Sequence, residues 1–241
     1  MTTTTFHIGA KELRGKLEAY TKHFGLLEVR RGEASSPNLT AMKRFRKVAP
    51  PAFNFAVVAP EAVCALKPGP KFEAALEDTL EAQRVLQARC VVLRTPFAVT
   101  PSKLSRDRMK ALLDRFPSDA LTIVWEPGGV WEAADAAKQA KKWNVVLSVD
   151  AARDPVPAGP VAYVRLRAVG ETRGFSAETL ARVAAAIGSG RRDAYVVIES
   201  DRAKDEAKTL RAAVRELDKV KPKPMAVLRP ARVIAGGDED E

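Results

Sequence analysis

Four short stretches of this chain each set two polar or charged side chains two residues apart at the end of an apolar run. They are Glu28 with Arg30, Ser148 with Asp150, Arg165 with Arg167, and Glu199 with Asp201. Residues i and i+2 of an extended strand share a face. Each pair therefore projects to one side of its strand, while Val149, Leu166 and Ile198 project to the other. Arg94 and Glu126 add single charges at the ends of two further runs. An unpaired charge is costly against an apolar layer, so these side chains are expected to meet in a shared mouth. Arg94, Arg165 and Arg167 suit bidentate binding of a carboxylate or phosphate. Glu28, Glu126, Asp150 and Glu199 suit proton transfer, or could hold a divalent cation through oxygens. No spacing selects a metal, and no motif calls for a cofactor. The same charges can instead satisfy one another as an ion-pair lattice, and the residues alone leave both readings open.

Regular alternation must position these pairs. Strands are predicted at Phe6–Gly9, Leu26–Arg31, Phe53–Ala59, Cys90–Leu93, Leu121–Trp125, Val145–Val149, Val161–Ala168 and Tyr195–Ile198. Between them apolar residues recur at helical spacing, as in Leu13, Leu17, Tyr20 and Phe24, or Phe72, Leu76, Leu80 and Leu86. Ser36, Ser105 and Ser176 are expected helix caps. Ala151–Pro160 carries Pro155, Pro157 and Pro160 and cannot be helical. Eight strands alternating with helices predict a parallel α/β arrangement of the (β/α)8 type, a TIM barrel whose sixth helix is replaced by a Pro-rich loop. A doubly wound open sheet is the alternative. Residues 1–220 are expected to form a single barrel domain, and residues 221–241 a flexible tail, first basic and Pro-containing, then acidic.

Composition bounds the function. The chain is 46% hydrophobic and 29% charged, as in a globular protein. The start, Met1-Thr2-Thr3-Thr4-Thr5, lacks a basic region and an apolar core, so a cytoplasmic location is expected and no membrane association. Cys64 and Cys90 form no Cys-x-x-Cys pair, and His7 and His23 are the only histidines. That pattern disfavours zinc sites and the usual Ser-His-Asp chemistry. Forty Lys/Arg against thirty Asp/Glu give a net charge of +10, which favours anionic partners: a small anionic molecule or nucleic acid. Gly170–Gly174 follows the seventh strand, where barrels often bind phosphate, although it lacks the P-loop pattern. Trp125 and Trp131 bracket Pro127-Gly128-Gly129 and can either stack on a ligand or pack as core.

Taken in order, these segments resemble the YecE-like family, known as domain of unknown function 72. Phe53–Pro60 is similar to its Phe-x-Phe-Ala-Val-Lys-Ala-Pro strand, and Leu27-Glu28-Val29 to its Val-Glu-Ile/Leu strand. Trp125–Trp131 resembles Arg-His-Pro-Ser-Trp, Tyr163–Arg167 resembles Tyr-Val-Arg-Leu-His-Gly, and Tyr195–Asp201 resembles Tyr-Val-Tyr-Phe-Asn-Asn-Asp. The resemblance implies a TIM barrel and brings no settled activity with it. Glu28, Pro96, Pro127, Trp131, Arg165 and Asp201 keep the family pattern. Arg94, Glu126, Arg167 and Glu199 stand where the family has Gln, His, His and Asn, which implies a changed ligand or lost ancestral chemistry.

The resulting expectation is a hydrolase or isomerase acting on a phosphorylated or acidic small molecule at the C-terminal barrel face. Glu28, Glu126, Asp150 and Glu199 would be its catalytic candidates. Arg94, Arg165, Arg167, Trp131 and Asp201 would bind the ligand. The alternative is a non-catalytic barrel that binds nucleic acid or a protein partner through its basic surface.

Overall fold

Runs such as Asn54–Val58 and Val161–Leu166 are rich in β-branched and aromatic residues and nearly continuous in apolar character, as strands covered on both faces must be. The computed structural model describes residues 4–117, 121–169, 173–188 and 190–220. Its strands are β1 (Thr5–Ala10), β2 (Leu26–Arg30), β3 (Asn54–Val58), β4 (Cys90–Thr95), β5 (Thr122–Pro127), β6 (Val146–Val149), β7 (Val161–Arg167) and β8 (Asp193–Glu199). The helices are α1 (Leu17–Tyr20), α2 (Leu39–Val48), α3 (Glu61–Cys64), α4 (Pro70–Leu86), α5 (Lys103–Leu113), α6 (Ala133–Trp143), α7 (Ala177–Ile187) and α8 (Ala203–Val220). All strand pairs are parallel, in the order β1-β8-β7-β6-β5-β4-β3-β2. No helix joins β6 to β7. This is a nearly closed TIM barrel with the predicted Pro-rich gap.

The two ends of the sheet, β1 and β2, meet through a seam built by Tyr20. Its hydroxyl accepts from Ala10 N at 2.8 Å and donates to Leu26 O at 2.9 Å. Gly25 N also donates to Ile8 O at 2.9 Å. The approach at this seam is close: a Cβ on Gly9 would lie 2.4 Å from Leu26 O. Only glycine permits that contact.

Inside the barrel, Leu26, Ala56, Val58, Cys90, Val92, Val124, Tyr163, Tyr195 and Val197 form a buried apolar plug. Burial pushes the Cys64 thiol up to about 12, so this cysteine is an inert packing group. The larger core lies between the sheet and the surrounding helices. Among the described residues no helix is long and apolar enough to cross a membrane.

The structure departs from the expected elements at several ends. The helix expected from the spacing of Leu13, Leu17, Tyr20 and Phe24 shrinks to α1, because Gly15 takes φ +78 and breaks the right-handed path. The cap of α2 is Asn38, whose side chain accepts from Ala41 N, and not Ser36. The cap of α5 is Ser102, accepting from Ser105 N, and not Ser105 itself. Ser176 caps α7 as expected. The expected tail, residues 221–241, lies outside the described residues, as do Gly170, Glu171 and Thr172.

The seam is directly testable. Tyr20→Phe leaves Ala10 N and Leu26 O without their partner in a buried setting. We expect a loss of about 1–3 kcal/mol in urea unfolding with an unchanged m-value.

Candidate active site

Above the apolar plug, the inward faces of the strands change from hydrocarbon to charge within one layer. β2 contributes Glu28 and Arg30, β4 Arg94, β5 Glu126, β7 Arg165 and Arg167, and β8 Glu199. The register pairs Arg94 with Glu126 and Arg167 with Glu199 across neighbouring strands. Period-two alternation therefore delivers these groups to the C-terminal mouth.

Arg165 is fully buried at the centre of the group. Its Nε donates to Glu126 Oε2 at 2.9 Å. One terminal nitrogen donates to Glu28 Oε2 and to Glu199 Oε1, both at 2.9 Å. The other donates to Glu28 Oε1, which also accepts from the buried Tyr163 hydroxyl. Burial opposes the charge on Arg165, but Glu28 and then Glu126 outweigh it and hold its pKa above the usual arginine value. Burial, followed by the Glu28 charge, pushes the Tyr163 hydroxyl well above its ordinary value. Tyr163 therefore stays protonated as a donor.

A second shell of arginines covers this centre. Arg94 Nε donates to Glu126 Oε1 at 3.1 Å, and Arg167 donates to the same oxygen. Arg167 Nε also lies 3.8 Å from Glu199 Oε2, and Arg30 lies 3.9 Å from Glu199 Oε1. Burial would raise the Glu126 carboxyl, yet Arg165, Arg94 and Arg167 together hold it below its usual 4.5. Arg94 and Arg167 remain 39% and 40% exposed as side chains, in contrast to Arg165.

Two recesses flank this ridge. One, of about 800 Å³, is bordered by Lys11, Arg167, Arg173, Glu199, Asp201 and Lys204. The other, of about 470 Å³, is bordered by Arg30, Arg94, Glu126, Phe97 and Gly128. Among the described residues no group of three or more His, Cys, Asp or Glu is arranged to hold a metal ion. Glu28, Glu126 and Glu199 converge instead on the guanidinium of Arg165.

The residues singled out from sequence separate accordingly. Glu28, Arg94, Glu126, Arg165, Arg167 and Glu199 come together. Asp201 is exposed on the rim of the larger recess. Asp150 stands apart: it accepts from Ala152 N at 3.1 Å and Arg167 N at 3.4 Å, tying the start of the Pro-rich loop to β7. Trp131 also stands outside the group. Its indole N–H donates to Val99 O at 2.8 Å, and its ring packs edge-on against Trp125 and Trp143. The ring contacts of Trp125, Trp131 and Trp143 are packing contacts with one another. Arg30, which the sequence marks only as half of a strand-end pair, faces the mouth on the same parity as Glu28. Phe97, 81% exposed beside Arg94, gave no periodic signal.

The profile of the family described as "Protein of unknown function DUF72" matches residues 3–230. The chain belongs to the DUF72 family. Solved DUF72 structures agree in fold. A DUF72 family protein of Enterococcus faecalis V583 is 12% identical, with 91% of this chain and 100% of that chain covered and a TM-score of 0.70. A DUF72 family protein of Thermotoga maritima MSB8 is also 12% identical, covering 89% and 99%, with a TM-score of 0.66. An L-ribulose 3-epimerase, 16% identical and covering 94% and 100%, aligns with a TM-score of 0.56. At these identities the likeness shows the barrel and nothing finer. No curated protein matches the chain.

The lattice makes two measurable predictions. Arg165→Met leaves three carboxylates converging without their central cation, and should lower stability by about 3–5 kcal/mol in chemical unfolding. Acid should act through Glu126. Its folded pKa is depressed, so its contribution is present above the unfolded value and is lost as pH falls below about 4.5. Glu126→Gln lacks that titration, and its stability should fall less steeply with acidification than that of the wild type.

Proposed function

We propose that this DUF72 barrel is a cytoplasmic protein that binds a phosphorylated or acidic small molecule at its C-terminal mouth. The observation that carries this reading is the sharing of Glu126 Oε1 by Arg94 and Arg167. Both side chains keep a solvent-facing part. Two guanidinium groups converging on one carboxylate oxygen offer a single anion two adjacent forks of donors. Arg165 spends its donors on glutamates and serves as the internal counterion behind this site.

The reaction class that suits such a mouth is hydrolysis or isomerisation of the bound anion. Glu28 lies under Arg165 with no exposed side chain. Glu126 is held ionised by three arginines, which makes it a weak base at neutral pH. Glu199, partly exposed between Arg167 and Arg165 and bordering the larger recess, is the carboxylate placed to exchange a proton with a ligand. Asp201 and Lys204 stand on the same rim.

A ligand screen by thermal shift tests the reading. Phosphorylated or carboxylated metabolites should raise the melting temperature of the wild type. Arg167→Ala, removing a half-exposed side chain, should abolish that rise while the apo protein still unfolds cooperatively. A panel that shifts nothing in the wild type would overturn it.

A second reading, a non-catalytic surface for nucleic acid, is favoured by α8. Lys204, Lys208, Arg211 and Arg215 recur every three or four residues and so share one helix face. Three of them, Lys204, Lys208 and Arg211, act with Lys22 on His23, whose pKa is lowered first by burial and then by these charges. On this reading retention on DNA or RNA falls with salt, with a log–log slope of several units. Salt-independent binding, or none, counts against it.

A further inference from the structure

Phe97 is 81% exposed, yet the backbone on either side of it is anchored by hydrogen bonds. Val99 N donates to Pro96 O at 2.9 Å, closing a turn across Phe97. Gly128 N donates to Thr95 O at 2.9 Å just before that turn, and Trp131 Nε1 holds Val99 O at 2.8 Å just after it. The loop after β5 presses on the turn from the side. A Cβ on Gly128 would lie 2.5 Å from Thr95 O, and one on Gly129 would lie 2.9 Å from Phe97 O. Gly129 also takes φ +77, a conformation that side chains disfavour. Two glycines and a tryptophan thus pack closely against the turn, which presents the phenyl ring to water.

A lone exposed apolar side chain is ordinary on a protein surface, and what sets this one apart is its position. The ring stands at the edge of the recess of about 470 Å³ that also holds Arg30, Arg94 and Glu126. That volume lies in the range of small-molecule sites. An inorganic anion has no use for an aromatic face at this position. Arg167 borders the neighbouring recess and meets Arg94 at Glu126 Oε1. A ligand whose anionic group is joined to a flat ring therefore uses both features by placing its ring on Phe97 and its anion across the ridge, on the exposed forks of Arg94 and Arg167.

We propose that the ligand of this mouth is an aromatic phosphate of the nucleoside monophosphate class, its base stacked on Phe97 and its phosphate held by Arg94 and Arg167. This rests on the anion-site reading above and adds the ring. Trp131 is then a positioning residue: it fixes the turn that presents Phe97 and does not itself meet the ligand.

Titration calorimetry with a panel of ribonucleoside monophosphates, against ribose phosphate and inorganic phosphate, separates the two layers. In the wild type at least one nucleotide should bind about tenfold more tightly than ribose phosphate. Phe97→Ala should erase that advantage while leaving ribose phosphate affinity and the melting temperature unchanged, since the ring is exposed. Arg167→Ala should weaken nucleotide and ribose phosphate alike. Equal binding of nucleotides and ribose phosphate in the wild type, or a Phe97→Ala variant that keeps the nucleotide advantage, overturns the stacking proposal and leaves the anion site standing. If neither nucleotides nor the simple phosphates bind, the stacking proposal falls together with the anion reading.

Discussion

A guanidinium with no exposed surface must be neutralised where it stands, and Arg165 is neutralised from three sides of the barrel at once. Glu28 comes from β2, Glu126 from β5 and Glu199 from β8. Those strands are far apart in the order of the sheet, so the ion cluster can form only when the sheet has curled far enough to bring them round one axis. Below lies the apolar plug that includes Val92, Val124 and Val197, which offers the charges no solvation. Desolvation makes an incomplete cluster expensive and a complete one tolerable. The Tyr20 bridge between β1 and β2 serves the same end, because it holds β2, and with it Glu28, at its place in the ring.

The cluster then divides the mouth into an inner and an outer layer with different chemical freedom. Arg165, Glu28 and Tyr163 are buried, bonded to one another and, through Arg165, to Glu126 and Glu199, and present no exposed side-chain face to a ligand. Arg94 and Arg167 touch the same glutamate from outside and keep a face in solvent. An incoming anion therefore meets cations that are already positioned, each restrained by one charge-assisted bond to Glu126. Restraint of this kind reduces the ordering cost of binding. It also explains why the mouth can be rich in arginine without being disrupted by repulsion.

Strand parity was legible in the sequence because a period of two leaves no intermediate position: Glu28 and Arg30, or Arg165 and Arg167, had to share a face. The barrel itself was legible from the strand count and the Pro-rich gap. Partner choice was not, since it depends on which strands face each other across the axis, and this separated Asp150 from the other acids. Asp150 falls one residue beyond β6, where the chain turns and its carboxylate serves the backbone N–H groups of Ala152 and Arg167. Local choices among similar residues also escaped. Ser102 and Ser105 are equally good caps by type, and only the path of the chain into α5 decides between them. Phe97 was silent because one aromatic in a Pro-containing loop carries no periodicity. Its significance comes from the glycines and the indole that hold it, which lie some thirty residues further along.

The four charges at which the sequence departs from the motifs it resembles, Arg94, Glu126, Arg167 and Glu199, all belong to this cluster. Within the lattice they are not independent. Glu126 pairs with Arg94 and Arg167, and Glu199 pairs with Arg165, Arg167 and Arg30. A single change of this kind would leave a charge in the mouth without its counterpart. Together, two acids and two bases keep the local charge nearly balanced around the buried pair of Arg165 and Glu28, and leave Arg94 and Arg167 with solvent-facing parts.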